Sequence, residues 1–182
     1  MFERYTERAR RVIFFARCEA LCRNASTIET SDLLVGMTHD KHEPDCPFAF
    51  LYDRRDEFRE LCGFLPLTGQ KPEERNIPLS ETSKKVLGHA IRETDRDWRY
   101  SLDVEHLFRG LLLTGDKTSA LLLRVGYTLD AARVSSLAAR KTHPDVPWRR
   151  VRRFYALLKR NKVLVVAALL IAAAVLYMHF QK

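Results

Sequence analysis

Beyond Asp145 this 182-residue chain has no acidic residue: all 23 of its carboxylates lie between Glu3 and Asp145. Glycine and proline are sparse, seven of each, which excludes collagen-like and low-complexity classes. The four cysteines, Cys18, Cys22, Cys46 and Cys62, make no CxxC pair. No secretory signal peptide is expected. The first eleven residues carry Glu3, Arg4, Glu7, Arg8, Arg10 and Arg11, and no apolar run follows them. Free thiols in a reducing compartment are therefore expected, with Cys18 and Cys22, four apart on a helix, as small buried residues. There is no HExxH, no nucleophile elbow and no Ser-His-Asp order, so no hydrolase or metalloprotease chemistry is indicated.

Apolar residues make up 46% of the chain, enough for a true core. The net charge of +8 has one source. Arg149, Arg150, Arg152, Arg153, Lys159, Arg160, Lys162 and the terminal Lys182 supply all of it, and the preceding part is formally neutral. Basicity spread over a domain would point to nucleic acid. Here it is confined to a stretch interleaved with Trp148, Phe154, Tyr155, Leu157 and Leu158, which suits an anionic lipid surface, and no nucleic-acid partner is expected.

Residues 163–180, VLVVAALLIAAAVLYMHF, contain no Asp, Glu, Lys or Arg. As a helix they would rise about 27 Å, close to the hydrocarbon thickness of a bilayer. A transmembrane helix is expected there. The basic residues on its N-terminal side place the preceding domain in the cytoplasm by the positive-inside rule, as in a tail-anchored protein. Residues 143–148, with Pro144 and Pro147, read as a stiff linker, and 149–162 as the basic juxtamembrane segment.

The remainder, 1–142, repeats itself. Tyr5-Thr6-Glu7-Arg8-Ala9-Arg10-Arg11-Val12-Ile13-Phe14-Phe15-Ala16 aligns with Leu79-Ser80-Glu81-Thr82-Ser83-Lys84-Lys85-Val86-Leu87-Gly88-His89-Ala90. At the same spacing Glu19 meets Glu93, and Ile28 to Gly36 meets Leu102 to Gly110. Thr6 and Ser80 are helix N-cap types followed by an acidic residue. Ala9, Val12, Ile13, Ala16 and Ala20 fall on one helical face, as do Ser83, Val86, Leu87, Ala90 and Thr94. Second helices follow through Leu33, Leu34 and Met37 and through Leu107, Phe108 and Leu111. The second copy continues with helices over about 119–125 and 129–139, separated at Gly126. Their counterparts in the first copy fall near 48–52 and 57–61. The expected fold is all-α: two tandem four-helix repeats, about 2–70 and 77–140, packed as a pseudo-twofold eight-helix domain.

The opening Phe2-Glu3-Arg4-Tyr5-Thr6-Glu7-Arg8-Ala9-Arg10-Arg11-Val12-Ile13 and the run Val104-Glu105-His106-Leu107-Phe108-Arg109-Gly110 resemble the N-terminal repeat domain (Clp N) of the Clp-type AAA+ unfoldases. The likeness covers about 2–140, and the ATPase modules of that family are missing. It implies a non-catalytic module that binds adaptors and substrate proteins. It also implies that Glu105 occupies the place where some members hold phosphorylated arginine side chains. Ser31, followed by Asp32, stands there in the first copy, and Ser31 cannot offer a carboxylate. The resemblance therefore makes Glu105, His106, Ser31 and Asp32, with Glu3 and Arg4 on the opening segment, the candidate ligand-binding residues. A first-turn helix charge is the plainer reading of Glu105.

Protein or peptide ligands, possible Clp adaptors among them, and an anionic membrane are the expected partners, at a bacterial inner (cytoplasmic) membrane. A structural interaction role unrelated to proteolysis is the alternative. No cofactor is expected. The run Gly110 to Thr118 misses a phosphate-binding loop by one residue and follows a helix, so no nucleotide is expected either. His39, His42 and Cys46 are weak metal candidates at nonstandard spacing. Asp53, Asp56, Glu57 and Glu60 alternate with Arg54, Arg55 and Arg59 as a salt-bridged helix face.

Overall fold

The computed structural model describes residues 3–39, 48, 50–64 and 75–139. Among these it contains eight helices and no strand longer than an isolated bridge. They are α1 (Glu7–Cys22), α2 (Thr30–Met37), α3 (Phe50–Asp53), α4 (Arg55–Leu61), α5 (Glu81–Arg96), α6 (Val104–Thr114), α7 (Lys117–Arg124) and α8 (Leu129–Ala139). The fold is all-helical, four helices to each copy. No helix among the described residues is long and apolar enough to cross a membrane. The expected linker, the basic segment Arg149 to Lys162 and the expected span 163–180 lie outside the described residues, as do His42 and Cys46.

Both first helices start as the side-chain chemistry dictates. Thr6 and Ser80 sit in extended backbone and accept the N–H groups of Ala9 and Ser83. Both end alike. Asn24 and Trp98 follow the last turns with φ of +54° and +59°. Ala25 N–H then reaches Ala20 O, and Arg99 N–H reaches Thr94 O, so each turn closes in the left-handed capping motif. Asn accepts that backbone. A residue with a bulky side chain there costs about 1–2 kcal/mol.

Two short backbone bridges join the copies. Tyr5 pairs with Leu102 and Ile28 with Leu79. The bonds are Thr6 N–H to Leu102 O (2.9 Å) and Leu102 N–H to Arg4 O (2.6 Å) on one side. On the other they are Ser80 N–H to Ile28 O (3.0 Å) and Ile28 N–H to Pro78 O (2.8 Å). Each partner is the repeat equivalent of its counterpart with the copies exchanged. The segment before the first helix of one copy thus binds the segment before the second helix of the other, which is the hydrogen-bond signature of a pseudo-twofold axis.

Within each copy the first and second helices touch at backbone distance. A Cβ on Gly36 would lie 2.6 Å from Val12 O and 2.8 Å from Ala16 N. On Gly110 it would lie 2.5 Å from Val86 O and 3.2 Å from Ala90 N. Around these contacts Ala9, Val12, Ala16, Leu33, Leu34, Val86, Ala90, Leu107 and Leu111 are buried completely. Between the copies the core is aromatic. Phe48 and Phe108 lie 4.7 Å apart, Phe50 stacks on Tyr127 at 5.4 Å, and Tyr127 meets Phe108 edge-on at 5.7 Å.

The cysteine expectation needs correction. Cys18 is only part-buried and Cys22 is exposed, because the buried face of α1 runs through Ala16, Glu19 and Ala20 instead. Both thiols are free, and partial desolvation by the surrounding side chains raises each above the ordinary thiol range.

Gly36→Ala and Gly110→Ala are expected to destabilise the fold by about 1–3 kcal/mol or more each, because the obstructing atoms are backbone. Gly88→Ala, whose Cβ meets nothing within 4 Å on the exposed face of α5, is expected to stabilise it by about 0.5–1 kcal/mol. Denaturant unfolding of the three variants measures both signs.

Candidate functional site

The two second helices begin with the same reciprocal cap built from different residues. In α6, Asp103 accepts Val104 N–H, and His106 Nδ1 accepts the N–H of Asp103 (3.0 Å). In α2, Asp32 occupies the place of His106 and accepts Glu29 N–H (2.8 Å). Asp32 is fully buried and bound by both oxygens to Arg23, at 2.6 and 2.7 Å. Burial raises its carboxyl above the ordinary range despite Arg23. His106 and Asp32 therefore serve as caps in the core, neither as surface residues nor as free ligand groups.

Glu105 and Ser31 follow their N-caps by two residues, and their surroundings differ sharply. Glu105 is 6% exposed and accepts Arg99 Nη1 at 2.8 Å. It is in the first turn of α6, as expected, but a guanidinium of the chain already holds it. Beside it lies Arg109, fully buried where the first copy has Val35. Arg109 donates to Glu93 (3.1 Å) and Asp97 (2.7 Å) and lies 3.9 Å from Glu105. Ser31, by contrast, lines a cavity of about 500 Å³ with Glu29, Leu61, Thr82, Lys117 and Leu121. This cavity draws on both copies. One wall is closed by Thr30, whose hydroxyl bonds Asp116 and lies 2.8 Å from that of Thr118.

Among the described residues, Asp97, Glu105 and His106 place metal-ligand atoms within 4.8 Å of one another. His106 Nε2 lies 3.4 Å from Asp97 and 3.7 Å from Glu105, buried and without a hydrogen bond. The tautomer argues against an ion there. Because Nδ1 accepts the Asp103 N–H, the ring proton sits on Nε2, which then has no lone pair for a metal. Both carboxylates are also neutralised by arginines. His39, the weak metal candidate within the described residues, is likewise engaged: it bonds Glu19 at 2.5 Å and stacks on Phe15 at 4.8 Å.

The opening segment and the Glu105 region, separate candidates in the sequence, are joined by the loop after α5. Arg4 donates to Tyr100 O (3.1 Å) and Asp95 (3.2 Å) and lies over the Tyr100 ring. Glu3 is exposed at its edge. Arg8 pairs with Asp103, which also accepts Thr6 Oγ1 (2.9 Å). Burial raises the Asp103 carboxyl, but Arg8 and the converging donors outweigh it and hold it below the ordinary range. The Gly110 to Thr118 run is the end of α6, a left-handed cap at Gly115 and the start of α7. There the Asp116 side chain accepts Ser119 N–H and takes the helix N-terminus that a phosphate would need.

The interior ion pairs are features that sequence inspection missed. Glu19, 1% exposed, is bound by Arg59 (2.5 Å) and His39; Glu93, 4% exposed, by Arg133 (2.6 Å) and Arg109. Arg59 and Arg133 are repeat equivalents, so the same pair ties the first helix to the fourth in both copies. The repeat spacing, carried past Gly36, would have found them. Arg59 is accordingly not part of a solvated helix face, although Arg54 does pair with Glu57 there. Burial raises both glutamates, but hydrogen bonds from His39 and Arg59 to one, and from Arg133 and Arg109 to the other, bring each below its ordinary value.

No family model matches the chain. Solved structures do. The N-terminal domain of the caseinolytic protease associated chaperone ClpD from Arabidopsis thaliana is 24% identical, with a TM-score of 0.58 over 78% of this chain and 97% of that one. A chain from a malarial protein secretion system is 16% identical, with a TM-score of 0.62 over 76% and 97%. The Hsp104 N-terminal domain from Candida albicans is 16% identical, with a TM-score of 0.58 over 78% and 94%. The double-repeat domain thus has the Clp N-domain-like fold.

Both glutamates have folded pKa values below their unfolded ones. The stability they contribute is complete above the ordinary value of 4.5 and is lost as pH falls through the folded values. Arg59→Ala is expected to cost about 3 kcal/mol, since only His39 is left on Glu19. Arg133→Ala costs less, because Glu93 keeps Arg109. Chemical unfolding of each variant at neutral and acid pH checks the order, and both variants are expected to flatten the acid slope.

Proposed function

We propose that this chain is a non-catalytic protein-binding module that recognises peptide or protein ligands through the cavity between its repeats, and that residues 163–180 hold it at a bacterial inner membrane with the repeat domain in the cytoplasm. The cavity beside Ser31 is the observation that carries the reading. It is large enough for one or two ligand side chains. Thr82, Lys117 and Ser31 give it polar edges, and Leu61 and Leu121 give it an apolar floor. The fold likeness to N-terminal domains of ClpD and Hsp104 chaperones supports the same class, with Clp adaptors or substrates as the ligands to test first. Glu105 is assigned a positioning role, because Arg99 already occupies its carboxylate. The basic stretch 149–162 and the charge-free run after it support the membrane half of the proposal.

Affinity capture with the full-length, detergent-solubilised chain tests the cavity. Thr82→Trp fills it and is expected to reduce captured protein about tenfold, the scale of a lost 1.4 kcal/mol contact. Equal capture by wild type and variant would remove the cavity from the site. Recovery of one membrane protein, without adaptors or unstable proteins, would instead favour the structural role. For the tether, removing residues 163–182 is expected to move the chain from the membrane pellet to the supernatant. An intact chain already found in the supernatant would end that part of the proposal.

A further inference from the structure

Two thiols on α1 have no part in the core or in the ligand cavity. Cys18 and Cys22 stand four apart, about one turn, so both lie on the same side of the helix. Both are free, Cys18 part-buried and Cys22 exposed. They are close enough to sense each other. Partial desolvation raises the Cys18 thiol, and the neighbouring Cys22 raises it further. The cations whose fields reach the pair are Arg17 at Cys18 and Arg59 at Cys22. The carboxylate that reaches both is Glu19, which Arg59 and His39 already hold. Arg17 Nε is buried and has no acceptor among the described residues.

Geometry separates the two things a pair of thiols can do. Side chains at this spacing on a helix keep their Cβ atoms about 5–6 Å apart. A disulfide needs about 3.5–4.5 Å, so this pair does not close into one without bending the helix. A metal bridging two sulfurs needs more room. Thiolate–metal bonds of about 2.3 Å put the sulfurs of a linear S–metal–S unit about 4.6 Å apart, which side chains at this spacing span in ordinary rotamers.

We propose that Cys18 and Cys22 form a two-thiolate site for a soft monovalent cation of the Cu(I) type. Soft sulfur donors select Cu(I), and two ligands suffice for it, whereas zinc in a structural site takes four. On binding, each S–H bond breaks and its proton goes to solvent, two S–metal bonds form, and the metal stays monovalent. The site then carries one negative charge, which Arg17 and Arg59 offset. Because two protons leave, affinity rises about a hundredfold per pH unit below the thiol range. The proposal is independent of the protein-binding reading and of the cavity.

The test uses the full-length chain in detergent, reduced and free of oxygen, with Cys46→Ser and Cys62→Ser so that the pair supplies the only thiols. The probe is Cu(I) delivered as its bicinchoninate complex, whose colour is lost as the protein takes the metal. One Cu(I) per chain is expected, with release of both thiol protons. Cys18→Ser and Cys22→Ser are each expected to weaken binding by about a hundredfold or more, while circular dichroism shows the helices intact. Zn(II) is expected to bind about a thousandfold more weakly than Cu(I). No Cu(I) uptake by the chain with only this pair, unchanged binding in either single-thiol variant, or Zn(II) binding as tight as Cu(I) would each overturn the proposal. So would a Cys18–Cys22 disulfide found by mass spectrometry after mild treatment with diamide, since it would place the sulfurs closer than the helix spacing allows.

Discussion

The crossed exchange of backbone hydrogen bonds between the copies is the constraint on which the rest of the structure depends. Thr6 N–H on Leu102 O and Ser80 N–H on Ile28 O fix the start of each first helix against the start of the opposite second helix. Those four helix starts carry the caps, the Arg8–Asp103 pair and the wall of the cavity. A bridge of one residue pair contributes little by itself. Its effect lies in register: with the starts aligned, α1 meets α2 at Gly36 and α5 meets α6 at Gly110, and neither contact tolerates a shift of one residue.

Each copy on its own is a small domain with a marginal core. The structure compensates in two ways. The copies share an aromatic interface centred on Phe108 and Tyr127, and each encloses a glutamate held by an arginine from its fourth helix. Buried ion pairs are weak sources of net stability but severe penalties for misassembly. Their place, between the first and last helix of a copy, is where a wrongly docked fourth helix would leave Glu19 or Glu93 uncompensated.

The helices and their pairing were legible because the signals were local or repeated. Thr6 and Ser80 marked starts, Gly36 and Gly110 aligned at equivalent places, and Gly126 marked a stop that the structure keeps with φ of +92°. The charged interior was not legible in the same way. Arg59 sits among Arg54, Arg55, Asp56 and Glu57, which together read as a solvated face, and its burial shows only when Glu19, forty residues earlier, and its repeat equivalent Arg133 are set beside it. Arg109 replaces Val35, so the repeat gives no warning of it. Glu105 looked available for a ligand because Arg99, its actual partner, sits in the loop before α6.

The differences between the copies carry more functional information than their likeness. A duplicated domain held by a pseudo-twofold axis begins with two equivalent surfaces. Here Ser31 leaves one open, with a cavity beside it, and Arg99 and Arg109 close the other around Glu105. The closed copy is also the one that turns Trp98 outward at the place where the open copy keeps Asn24. Tryptophan in the second copy, next in sequence to the arginine that holds Glu105, shows that the copies have diverged at their surfaces as well as in their charged interiors, where Arg109 stands in place of Val35.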